Sequence, residues 1–198
     1  MLHTLGYQLV PKFLDKIELL ELCNDFKNLP LSTMKIDEFG PSIYNHNIFL
    51  EILCKKVNMV SDLIGEPLFP TYCYARKYQY NANLPEHVDR PGCEISLTVH
   101  LYGDKEWEFL VRNKDKTSTG FQLNPGDALL YNGIKVPHYR NNYEGLEYSQ
   151  LFLHYVRSRG QYKDYYFDNK NFFNKQKKEH DKALLKQLSQ RYKDKSRD

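Results

Sequence analysis

A mainly β fold with flanking helices, a sandwich or jelly roll, is what this chain of 198 residues predicts. Three observations carry the prediction. Apolar residues recur at helical spacing only near the two ends of the chain. From Tyr72 onward the period changes to two, so that Tyr72, Tyr74, Arg76, Tyr78 and Tyr80 share one strand face. After that, short segments of the same period are separated by turn residues at close intervals, as at Pro125-Gly126-Asp127 and Asn132-Gly133.

In chain order, the first element is a helix over 11–29. Pro11 stands at its start, Phe13, Ile17, Leu20 and Phe26 recur near helical spacing, and Asn28-Leu29-Pro30 ends it. A second helix is expected over 46–64, with Phe49, Ile52, Leu53, Val57, Val60 and Ile64 on one side and Gly65 in place for a left-handed cap. Both apolar faces should pack on the outside of a sheet. The strand from Tyr72 runs into the loop Asn81-Ala82-Asn83-Leu84-Pro85, which delivers His87. Further strands are expected at Glu94–Tyr102, Glu106–Val111, Phe121–Leu123, Ala128–Tyr131, Val136–Arg140 and Tyr148–Val156. The polar stretch Asn113–Gly120 reads as a loop and a candidate lid. Residues 175–193 read as a helix with Leu184, Leu185 and Leu188 on its small apolar side. The organisation is one domain in three parts: a helical support over 1–70, the β core over 71–160 and a basic tail over 161–198.

Composition narrows the class. Hydrophobic residues make up 41% of the chain and charged residues 27%, a globular balance. No run of 18 apolar residues exists, which argues against a membrane helix. The first residues lack a basic region followed by an apolar stretch, so no secretory signal is expected. Cys23, Cys54, Cys73 and Cys93 show neither Cys-x-x-Cys nor zinc-finger spacing and read as reduced thiols of a cytoplasmic protein. Net charge is +3, yet residues 170–198 hold ten Lys and Arg against four Asp and Glu. Such a tail reads first as a solvated helix face, with nucleic acid or an acidic partner as the alternative.

The chemistry sits in His87-Val88-Asp89 and in His138, which lies behind Asn124-Pro125-Gly126-Asp127-Ala128-Leu129-Leu130-Tyr131. Residues two apart on an extended segment point the same way, so His87 and Asp89 can offer an imidazole and a carboxylate to one point. A histidine from a distant strand completes two nitrogens and one oxygen on a single face of a metal. Three positions stay open, the arrangement of non-haem Fe(II) oxygenases. His-x-Asp alone is a common chance pattern. The distal histidine and the chain breaks on either side, Leu84-Pro85-Glu86 and Arg90-Pro91-Gly92, make it specific. His100 and His154 also have inward parity and read as hydrogen-bonded core residues, while His3, His46 and His180 are assigned nothing. No phosphate-binding glycine loop, nucleophile elbow or Cys–His pairing competes.

On these motifs, residues from about 72 to 156 resemble the double-stranded β-helix (jelly roll) core of the Fe(II)/2-oxoglutarate-dependent dioxygenases, particularly the prolyl-4-hydroxylase-like group. The carrying residues are Lys77-Tyr78, His87-Val88-Asp89, Pro125-Gly126-Asp127-Ala128-Leu129-Leu130 and His138. The resemblance implies that His87, Asp89 and His138 are the catalytic metal ligands for Fe(II). It implies 2-oxoglutarate as cosubstrate, released as succinate and CO₂ with hydroxylation of a C–H bond. Tyr78 would hydrogen-bond the cosubstrate, and Ser96, Thr98 and Gln150 would line its pocket. One departure stands out. The family's Lys or Arg nine to ten residues past the distal histidine is replaced by Glu147 and Tyr148. Arg140, on the strand face of His138, is the expected substitute for binding the far carboxylate, and Arg76 the second choice. The substrate stays open among protein side chains, free amino acids and nucleobases. Two other classes remain: a non-redox, cupin-like metal protein recruiting Glu94 or His100 as a further ligand, and a catalytically degenerate binding module.

Overall fold

The structure, a computed structural model, describes residues 5–169. Its strands are β1 (Tyr7–Val10), β2 (Lys35–Asp37), β3 (Gly40–Tyr44), β4 (Leu68–Gln79), β5 (Leu84–His87), β6 (Ile95–Gly103), β7 (Phe109–Arg112), β8 (Ser118–Phe121), β9 (Ala128–Tyr131), β10 (His138–Arg140) and β11 (Glu147–Arg157). They form a seven-stranded sheet in the order β1-β9-β6-β11-β4-β3-β2 and a four-stranded sheet in the order β5-β10-β7-β8. Every pairing is antiparallel. This is the predicted jelly roll, with helices α1 (Lys16–Asn28), α2 (Asn47–Lys55) and α3 (Val57–Ile64) packed on its large sheet.

The helices cover one side of the large sheet. Phe26, Phe49, Leu53, Val57 and Val60 are all fully buried there against strand residues such as Ala75, Val99 and Leu151. With that side sealed, the opposite face of the large sheet turns toward the small sheet, and the functional residues lie between them. The first 70 residues supply strands as well as helices, since β1 pairs with β9 and β3 with β4.

Three expectations need correction. Helix α1 begins at Lys16, not near Pro11, because Asp15 forms a capping box: its carboxylate accepts the Glu18 N–H at 2.9 Å, and Glu18 accepts the Asp15 N–H at 3.0 Å. Ile17 and Leu20 consequently face water, at 69% and 70% exposure, while Leu22 and Phe26 turn inward. The second helix is two, broken at Lys56, which caps α2 and opens α3. Gly65 does take the left-handed cap, with φ of 80°. The supposed lid is a hairpin: the Asn113 N–H bonds Thr117 O at 2.8 Å, and Ser118–Phe121 forms β8 against β7. Its backbone is spent in a ladder, so it has little freedom to close over anything. The expected tail helix, and His3 and His180, lie outside the described residues. Among the described residues, no helix is long and apolar enough to cross a membrane.

Candidate metal centre

His87 and His138 meet because of strand register. Antiparallel pairing of β5 with β10 sets them directly opposite each other, with ring centroids 4.3 Å apart. Each ring is then locked by its own chain. Nδ1 of His87 lies 2.8 Å from Pro85 O, and Nδ1 of His138 lies 2.9 Å from Val136 O. A carbonyl can only accept, so both Nδ1 atoms carry a proton, and in the neutral imidazole it is Nε2 that keeps the lone pair. Those Nε2 atoms stand 3.6 Å and 3.7 Å from Asp89 Oδ1. That is too long for hydrogen bonds and suits a shared ion. Asp89 follows β5 and is fixed by its own N–H, which bonds Gly133 O at 2.8 Å.

Electrostatics match that grouping. The Asp89 carboxylate raises the His87 pKa, and burial lowers that of His138. Burial alone would push Asp89 upward, but the surrounding His87, His154, His138 and Ser96 hold it below its ordinary value. The three donors open onto a cavity of about 500 Å³, whose walls include Tyr44, Tyr72, Tyr74, Tyr78, Phe152 and His154.

The other anticipated residues fall in different places. Tyr78 is in the cavity wall, and burial pushes its phenol up to about 12, with Arg76 and Arg140 pulling the other way. Arg140 is 3% exposed and lies between the sheets, donating to Trp107 O and, at 3.2 Å, to Gln150 Oε1. Its guanidinium rests on the rings of Trp107, Tyr148 and Phe109 at 4.5, 5.0 and 5.2 Å. No carboxylate among the described residues pairs with it. Gln150 passes the network on to Thr98. Arg76 is already committed: Asp37 grips it with both oxygens, which leaves no fork for a cosubstrate. Ser96 faces Asp89, at 3.1 Å from Oδ2, and not a cosubstrate pocket. Glu94 pairs with Arg157 at 2.6 Å, and His100 stacks on Tyr148. Neither one joins the three donors.

Several wall residues carried no functional signal in the sequence. Tyr44, Tyr72, Tyr74, Phe152 and Arg90 look like ordinary strand and loop residues until the fold gathers them. His154 had the inward parity, and the structure puts it in the wall with its pKa lowered to about 4 by burial.

Known structures share this arrangement of strands. A prolyl-4-hydroxylase from Pseudomonas putida superposes with a TM-score of 0.66 at 15% identity, over 80% of this chain and 96% of that one. The fold is that of the 2-oxoglutarate/Fe(II) oxygenases. A member of that oxygenase family from Burkholderia pseudomallei gives 0.68 at 17% identity, over 80% and 88% of the two chains. HygX from Streptomyces hygroscopicus, a structure holding nickel and 2-oxoglutarate, gives 0.65 at 12% identity, over 80% and 85%. No protein-family profile and no curated protein matches this chain in sequence.

Proposed function

We propose that the chain is an Fe(II)- and 2-oxoglutarate-dependent oxygenase that hydroxylates a C–H bond of a protein side chain or a small molecule. The carrying observation is the pair of Nδ1-locked histidines aiming their Nε2 atoms at one carboxylate oxygen. This donor set fits Fe(II): two imidazoles and one carboxylate on one side, with a cavity on the other. Iron bound there with 2-oxoglutarate supplies dioxygen chemistry coupled to decarboxylation of the cosubstrate to succinate and CO₂. His87, Asp89 and His138 would hold the metal, and the tyrosine-rich wall would flank it on the cavity side.

Arg140 is our assignment for the far carboxylate of 2-oxoglutarate. A buried guanidinium without an acidic partner is costly, and an anionic cosubstrate would relieve it. Tyr148, ten residues past His138, packs its ring on Arg140 at 5.0 Å. The cation therefore approaches from β10 the place that the family fills from the strand equivalent to β11. Tyr78 packs on the same Trp107 ring as Arg140 and would donate to the cosubstrate from the cavity side. Anaerobic Fe(II) plus 2-oxoglutarate should give a weak visible charge-transfer band, followed by slow succinate release when oxygen is admitted. Absence of both would refute the oxygenase reading. Arg140→Ala should raise the half-saturating 2-oxoglutarate concentration at least tenfold with metal affinity unchanged, about 1.4 kcal/mol or more. If Arg90→Ala shows that effect and Arg140→Ala does not, the anchor is the cavity-lining arginine instead.

A nucleic-acid substrate is the second reading, and one contact favours it. Asp168 is tied to Arg90 at 2.6 Å, and Arg90 lines the cavity, so the described chain ends beside the cavity, and the residues that follow it in sequence, 170–198, are the strongly basic ones. The rings of Tyr44, Tyr72 and Tyr74 offer surface on which a base would stack. Full-length protein should then bind single-stranded oligonucleotides with a steep salt dependence that weakens when Lys175, Lys177 and Lys178 are replaced by Glu. Binding that ignores those substitutions would remove this reading.

A further inference from the structure

Four neighbouring strands of the large sheet place Tyr72, His154, Ser96 and Tyr131 in one row across the inner face. At the middle of that row Ser96 Oγ lies 2.9 Å from His154 Nδ1 and 3.1 Å from Asp89 Oδ2. Ser96 is fully buried and His154 is 5% exposed. We propose that His154 and Ser96 form a hydrogen-bonded relay that orients the Asp89 carboxylate, making His154 a positioning residue of the metal centre. The inference rests on the metal-centre reading above and extends it to two residues that touch no metal.

The direction of the relay follows from the donor inventory. Ser96 has a single hydroxyl hydrogen and three groups that could take it, Asp89 Oδ2, Cys93 O at 3.1 Å and His154 Nδ1, with the Tyr131 phenol, which can itself donate, beside them. Were the hydrogen given to Cys93 O, lone pairs of Ser96 and Asp89 would face each other at 3.1 Å. Giving it to the carboxylate removes that repulsion and forms the stronger, charge-assisted bond. Ser96 then accepts, and His154 Nδ1–H donates. Tyr72 packs its ring, tilted, against the His154 ring at 4.3 Å and bonds Cys93 Sγ at 3.0 Å, so the imidazole has little room to turn. With Oδ2 engaged by Ser96, Oδ1 is the oxygen left facing His87 and His138. Asp89, Cys93 and His154 cluster closely enough to suggest a second ion site. The hydroxyl of Ser96, bonded to both Asp89 and His154, accounts for that cluster without one.

Partners of this kind typically change metal affinity by ten- to a hundredfold when removed. The test is Co(II) binding by the full chain, followed through its visible ligand-field bands, with 2-oxoglutarate titrated afterwards. Ser96→Ala and His154→Phe should each raise the Co(II) dissociation constant about tenfold and shift the bands. The double variant should be no worse than either single one, because both break one chain of bonds. His154→Asn, whose amide N–H can stand where Nδ1–H stood, should restore wild-type affinity and spectrum. Half-saturation by 2-oxoglutarate at saturating metal should stay within about twofold in Ser96→Ala, whose hydroxyl faces Asp89; a larger change there would mean that Ser96 acts on the cosubstrate and not through the carboxylate, and would overturn the relay. A His154→Phe protein that binds Co(II) like wild type, or single effects that multiply in the double variant, would overturn the relay. If His154→Phe does not fold, the Ser96→Ala and His154→Asn comparison decides: wild-type affinity and bands in Ser96→Ala, or weakened binding in His154→Asn, sinks it. His87→Ala separates the premises, since unchanged Co(II) binding there would mean that the metal centre itself is misplaced.

Discussion

At Gly133 the backbone carbonyl accepts the Asp89 N–H at 2.8 Å, and the space beside its Cα is filled by the groups that carboxylate depends on. A Cβ there would collide with Cys93 O, Asp89 Oδ2 and Ser96 Oγ. A backbone carbonyl cannot swing aside as a long side chain can, so the carboxylate and the serine must move. Gly133→Ala should therefore weaken Co(II) binding at least tenfold and cost about 1–3 kcal/mol of stability. Metal titration and thermal melts check both, and wild-type affinity in that variant would show that Asp89 is not held from this side. The three donors themselves were legible in the sequence, because His-x-Asp fixes its own geometry on an extended chain and the Pro-Gly-Asp turn announces the distal strand. Gly133, Ser96 and His154 were not. Their roles arise from register between strands far apart in sequence, which no local pattern encodes. The same holds for Arg76: its parity was right, but nothing near it in the chain points to Asp37 on β2 as the partner that takes it.

At the scale of elements, the period-two signal located β4, β6, β9 and β11, the strands that carry the inner rows, since alternation reports burial of one face directly. Helix α1 was harder, because Ile17 and Leu20 mimic a core stripe while lying on the solvent side. The capping box decides its start, and the same Glu18 that closes the box also joins α1 to the α2–α3 junction. Its carboxylate, 5% exposed, lies 2.7 Å from Lys55 Nζ and 2.6 Å from Lys56 Nζ. Burial opposes ionisation, yet the two lysines and the Asp15 N–H outweigh it and lower the Glu18 pKa to about 2. Because the folded value lies below the unfolded one, Glu18 contributes stability above pH 4.5, and this is lost as pH falls toward 2. Lys55 is largely exposed, so solvent screens part of the gain, and about 2 kcal/mol is a fair scale. Glu18→Gln should lower stability by that order at pH 7, with the deficit shrinking in denaturant titrations near pH 3. A deficit independent of pH would mean that packing, and not charge, is what Glu18 supplies.

For the whole molecule, the end of the described chain belongs to the mouth of the cavity. After β11 the chain turns back so that Phe167 enters the main core and Asp168, 4% exposed, reaches Arg90 and Tyr44. Both residues sit in left-handed backbone, with φ of 45° and 57°. Non-glycine residues hold such angles only where surroundings over-determine them, at a cost of order 1–3 kcal/mol each. Here an apolar anchor and an ion pair do so together. Arg90 is thereby held over the Tyr72 ring at 4.3 Å, and Tyr72 in turn stacks on Tyr44 and packs against His154. One carboxylate thus links the last turn of the chain to a wall of the site. Asp168→Ala should loosen that turn without unfolding the sheets, because it removes the ion pair to Arg90 and the bond from Tyr44 and leaves the ladders of β4, β6 and β11 intact. Hydrogen exchange of amides 163–169 should accelerate at least tenfold, a local opening made easier by about 1.4 kcal/mol or more, while protection in β4, β6 and β11 stays as in wild type. Phe167→Ala should accelerate the same amides and also lower global stability by about 3 kcal/mol, since it leaves a cavity in the core. If Asp168→Ala exchanges like wild type, Phe167 alone fixes the turn, and the arginine at the cavity mouth owes its position to the tyrosine beneath it.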